Sequence, residues 1–158
     1  MRFRRLTKEE LFALETEFKQ FLIIHELYDE EWRALAENDP NKAEQFIELF
    51  SDLVLQKVFD EVSFLVHFTS HLVSFFDLRE SVLKAYHIKY LGPETIENES
   101  DLKNILLEQF DQIELFKGEK SKEKDKADEV YALIRKGSEI CTESLFQEFT
   151  RIFDSIKK

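Results

Sequence analysis

A chain of 158 residues with 33 acidic against 22 basic side chains, net −11, projects a field that repels phosphate backbones and anionic lipid, so neither nucleic acid nor a membrane is expected as a partner. The single cysteine, Cys141, rules out an internal disulfide and any cysteine-based zinc site. No stretch approaches the ~18 apolar residues of a membrane span.

The length suits one domain over residues 1–158, and its sixteen phenylalanines make a ring-rich core. Met1 to Arg5 is a basic start, but Glu9, Glu10, Glu15 and Glu17 interrupt the next stretch. No apolar run succeeds it, so a secretory signal is not expected and the protein reads as cytoplasmic. Thr7-Lys8-Glu9-Glu10 is a capping box, stapled by Leu6 and Leu11. Leu11, Leu14, Phe18, Phe21, Leu22 and His25 then mark one face of a helix running to about Leu27. Asp29 opens a shorter helix carrying Trp32 and Leu35. Asp39-Pro40 opens a third, with proline at the first helical position. Ala43, Phe46, Phe50, Val54, Val58, Val62 and Leu65 hold the helical period, so this helix is expected to reach about Phe68, some ~42 Å in all.

His71 to Phe76 and Ser81 to Leu91 read as the two strands of a hairpin. The rival for the second is a helix from Leu78 to Leu91, stopped by Gly92-Pro93. Ser100 opens a helix carrying Leu102, Ile105, Leu106 and Phe110; Ile113 to Lys117 is its tail or a short strand. Residues 117–126, rich in lysine and acid, are expected to form a flexible charged loop. A helix from about Asp125 closes at Gly137. Ser144-Leu145-Phe146-Gln147 is a second capping box. It leads a stripe of Phe146, Phe149, Ile152, Phe153 and Ile156, with Lys157 and Lys158 placed to suit the helix dipole.

Arg4-Arg5-Leu6-Thr7-Lys8-Glu9-Glu10-Leu11, Phe50-Ser51-Asp52 and Lys136-Gly137-Ser138-Glu139-Ile140 together resemble a small bacterial family of unknown function. The resemblance covers most of the chain and implies a small cytoplasmic protein. It brings no activity and no site residue.

Each group that chemistry could use has an ordinary reading beside it. His67 and His71, four apart, share a helix face if the helix persists that far, and could then hold a metal; two ligands alone rarely hold zinc. His25 and His87 read as hydrogen-bonded histidines, and Cys141 as a small buried hydrophobe. Glu94, Glu97, Glu99 and Asp101 lack calcium-loop spacing and read as a solvated loop. Arg2, Arg4 and Arg5 are the one basic cluster, available to an acidic partner or to the chain's own acids. Surplus rings, with Phe146, Phe149 and Phe153 foremost, could form an apolar face for a partner.

The fold expected is α+β: five or six helices around a long central one, with a small antiparallel hairpin. The function expected is a non-catalytic interaction protein without cofactor, binding a protein partner or itself through phenylalanine-rich helix faces. The alternative is a metal-dependent hydrolase or transferase using His67 and His71; a third reading is an acidic mimic of DNA.

Overall fold

The computed structural model describes the backbone of residues 1–156 and the side chains of residues 1–154. The Ile156 side chain, Lys157 and Lys158, expected at the end of the last helix, lie outside the described residues. Among those residues seven α-helices and a five-stranded antiparallel sheet make an α+β fold. No described helix is long and apolar enough to cross a membrane. Contacts divide the chain into two compact units, the second starting at Phe59.

The first unit is helical: α1 (Lys8–Ala13), α2 (Glu15–Ile24), α3 (Asp29–Asn38) and α4 (Pro40–Asp60, whose last two residues belong to the second unit). The capping box is in place, with the Thr7 hydroxyl accepting from the Glu10 amide at 3.1 Å and the Glu10 carboxylate accepting from the Thr7 amide at 2.8 Å. The helix expected to run on to Leu27 breaks at Leu14, where φ is −107°. Residues 2–6 are strapped onto α4. The Asp52 carboxylate accepts from the Arg2 and Phe3 amides, and the buried Ser51 hydroxyl accepts from the Leu6 amide at 3.0 Å while donating to the Ile47 carbonyl. Two of the segments that carry the family resemblance thus meet. Phe18, Phe21 and Phe50 pack ring to ring behind this strap, with centroids 5.0–6.3 Å apart.

The second unit holds β1 (Phe64–Phe68), β2 (Leu72–Asp77), β3 (Val82–Tyr90), α5 (Glu99–Glu108), β4 (Ile113–Ser121), α6 (Lys126–Arg135), β5 (Glu139–Ile140) and α7 (Glu143–Thr150), with a 3-10 turn over Arg151–Ile156. The strand order is β4-β3-β2-β1-β5, every pair antiparallel. The expected hairpin is its β2–β3 pair, and a small hairpin understates the sheet. Three differences explain the gap. The long helix stops at Asp60 after 21 residues, because Phe64, Leu65 and Val66 are all buried and form a strand apolar on both faces. Such a run fits the helical period as well as the strand period. Residues 117–121, expected within a charged loop, continue β4 along β3 as far as Ser121 opposite Val82. Lys117, Glu119 and Lys120 suit an edge strand, where charge deters further pairing. On the other edge β5 is only two residues long.

One sheet face carries the core. Phe64, Val66, Val73, Phe75, Ile88 and Tyr90 pack against Leu102 and Ile105 of α5 and against Phe146, Phe149 and Phe153. Phe146 stacks on Phe64 at 4.3 Å and meets Tyr86 edge-on at 5.6 Å. At the β2–β3 turn the buried Asp77 carboxylate accepts from the Arg79 amide at 3.0 Å and from its guanidinium at 2.9 and 3.0 Å. Burial pushes the Asp77 pKa up, but these bonds to Arg79 outweigh it and hold the carboxyl below its ordinary value. Arg79 in turn lies over the Phe64 ring at 4.8 Å.

Candidate functional site

The helical unit carries an open apolar groove between α2 and α3. α2 ends on Glu26, a non-glycine residue at φ 63°. The Glu26 amide donates to the Ile23 carbonyl and the Leu27 amide to the Leu22 carbonyl, both at 2.8 Å. This is a Schellman closure with glutamate where glycine is usual, and it turns the chain sharply into α3. Phe18 on α2 then meets Trp32 on α3 edge to face at 5.4 Å. The result is a groove of about 780 Å³ floored by Phe18, Leu22, Leu27 and Trp32. Ile23 and Tyr28 also line it and remain 45% and 58% exposed. Its rim carries Glu15, Asp29, Glu30 and Glu31 against Lys19 and Arg33. Three of those acids fall in the first turn of α3, where the helix dipole favours negative charge. The rim is therefore acidic over an apolar floor.

The phenylalanines expected at an interface do not make this surface. Phe146, Phe149 and Phe153 are 5%, 2% and 2% exposed and belong to the sheet's core. The correction is physical: the stripe they form is one that a covering helix needs to bury against a sheet. Of the sixteen rings only Phe12, Phe110 and Phe116 are exposed, the first in the helical unit and the other two in the sheet unit. Arg4 pairs with Glu10 at 2.8 Å and Arg5 with Glu44. The Arg2 guanidinium donates to the Gln56 side chain. All three arginines thus engage the chain's own side chains.

The histidines are dispersed. His67 lies in β1 and His71 beyond its end, so the helical spacing that would have aligned them does not exist. His71 stacks on Tyr90 at 5.6 Å and reaches the Gly92 carbonyl with Nε2 at 3.1 Å. His67 instead faces the turn after α6. Gly137 there has φ +117°, and a Cβ on it would stand 2.7 Å from the His67 Nε2; only glycine combines that backbone with that approach. His25 packs between the Phe21 and Phe46 rings.

His87 bonds the buried Ser74 hydroxyl through Nδ1 at 2.7 Å, and burial pushes its pKa down. This pair resembles a nucleophile beside its base, yet among the described residues no carboxylate orients the ring. Nor does any group of three or more His, Cys, Asp or Glu suited to a metal occur among them. The Cys141 thiol is pushed up to about 11 by burial, so it is not a thiolate at neutral pH. In the acidic loop, Asp101 accepts from the Glu97 amide and Glu94 from the Gln109 side-chain amide. The sequence pointed to Phe stripes; the groove was missed because its walls come from two helices whose angle is set by Glu26, which no turn signal marks.

No curated protein and no solved structure matches the chain. A family model does, over residues 1–154: the chain belongs to DUF6495, a family of unknown function.

Proposed function

We propose that the protein is a non-catalytic binding module whose helical unit receives a basic amphipathic segment of a protein partner in the α2–α3 groove. The observation that carries this reading is the pairing of an apolar floor with an acid-dominated rim. A helix that presents leucines to the floor and lysines or arginines to Asp29, Glu30 and Glu31 would satisfy both. Self-association through the same groove is disfavoured, since a twofold interface would set one acidic rim against another. A buried aliphatic anchor contributes roughly 1.5–3 kcal/mol, and complementary rim charges mainly raise the association rate.

Calorimetric titration with a synthetic leucine–lysine helical peptide tests it. Binding should weaken on adding salt and fall at least about tenfold in Ile23→Asp, whose fold is checked alongside by circular dichroism. Equal binding by the variant, or equal binding of a leucine–glutamate peptide, would remove the groove from the account.

A further inference from the structure

The sheet unit contains a second concavity, separate from the groove, on the face opposite the ring core. Three adjacent strands supply its floor. Phe76 of β2 pairs with Ala85 of β3, which pairs with Gly118 of β4, and Leu83 pairs with Lys120 one step along. Two of these floor residues are as small as residues come, and a Cβ built on Gly118 would meet nothing within 4 Å. The space is therefore left by side-chain choice in a paired strand. The far wall is Leu133 of α6 with Lys136 and Ser138 of the turn after it, and His67 closes one side; the volume is about 420 Å³, within the range of small-molecule sites.

The polar groups at this cavity converge from separate elements. The Ser138 hydroxyl is buried and has no hydrogen-bond partner among the described residues, an unusual state for a buried polar atom. Ser138 as a whole is 5% exposed. Lys120 and Lys136 bring positive charge from β4 and from the end of α6, and among the described residues neither ammonium is held in an ion pair. Glu119 adjoins the cavity too, but strand alternation places its side chain on the opposite face from Lys120.

We propose that this cavity binds a small organic carboxylate with an apolar body. The apolar part lies on Phe76, Ala85 and Leu133, and the carboxylate meets Lys120 and Lys136, with Ser138 and His67 as hydrogen-bonding groups beside it. Gly137 serves the site by letting the turn that carries Ser138 approach the His67 ring.

The test is a nitrogen-15 NMR titration of the full chain with octanoate, with 1-octanol and inorganic phosphate as comparison probes. Octanoate should shift the Gly118, Ser138 and His67 signals and bind at least about tenfold tighter than either comparison. Gly118→Leu should abolish the shifts by filling the floor. The double change Lys120→Gln and Lys136→Gln, both at exposed positions, should weaken octanoate about tenfold and leave octanol unchanged. Phosphate binding as tightly as octanoate, or octanoate indifferent to the two lysine changes, would overturn the proposal. So would octanoate binding that survives Gly118→Leu in a folded protein.

Discussion

Replacing Phe146 by alanine should strongly destabilise the sheet unit's core without touching either proposed binding surface. The ring is 5% exposed and contacts Phe64 at 4.3 Å, Tyr86 at 5.6 Å and Phe75 at 6.3 Å. Truncation of a buried phenylalanine costs about 3–5 kcal/mol through lost transfer energy and the cavity left behind. Three ring partners, each contributing about 0.5–1.5 kcal/mol beyond area, place this site in the upper half, near 4 kcal/mol. With a urea dependence of about 2 kcal/mol per molar, the midpoint should fall by about 2 M. The readout is NMR signal loss from amides of residues 64–150, because the single Trp32 reports the helical unit instead. Phe12→Ala, at a ring 79% exposed, is the matched control and should change stability by less than about 0.5 kcal/mol. A loss below about 1.5 kcal/mol at Phe146, or equal losses at the two positions, would refute the assignment of these rings to the core. Concentration-dependent association of the wild type that Phe146→Ala abolishes in a folded protein would return the ring to an interface.

Glu26→Gly should stabilise the helical unit by about 1 kcal/mol, since a left-handed conformation strains a residue with a Cβ and not glycine. In a unit this small that is roughly a 4–8 °C rise in Tm by Trp32 fluorescence, and no rise would mean the turn carries no strain. Acid should weaken both units. Hydrogen bonds from Arg4, then from the Thr7 amide, hold Glu10 down to about 2, and Asp77 is also depressed. Both folded-state values lie below the unfolded ones. Their stabilisation is therefore complete above the ordinary carboxylate range near pH 4 and is lost as pH falls through the folded values. Glu10 and Arg4 are well exposed, so their share is at most about 1 kcal/mol. Arg79→Ala should cost about 1.5–3 kcal/mol by leaving the buried Asp77 carboxylate short of partners. NMR titration of the two carboxyl groups checks the sign, and a Glu10 that titrates near pH 4.5 would contradict it.

Local chemistry was the legible part of this sequence. The Thr7–Glu10 box, the Pro40 start, the Gly137 stop and the β2–β3 hairpin each depend on a few neighbouring residues, and each stands where expected. Features set by distant partners were hidden. β1 looked helical because burial on both faces removes alternation. The second half of β4 looked like a loop because an edge strand needs only one partner and keeps its charges. β5 is too short to leave a pattern. Both concavities arise the same way. Phe18 and Trp32 meet across a turn held by a glutamate in a glycine's conformation, and Ala85 lies beside Gly118 only once β3 and β4 have paired. The histidines illustrate the converse: a spacing of four carries meaning on a helix, and His67 is on a strand.

Trp32, the one tryptophan of the chain, lines the α2–α3 groove, and its emission reads occupancy there directly. Titrating the intact protein with the leucine–lysine helical peptide should shift that emission to shorter wavelength, saturably, and less so in high salt. Emission that stays fixed while the peptide demonstrably binds elsewhere, or that responds equally to a leucine–glutamate peptide, would contradict an acid-rimmed groove as the receiving surface.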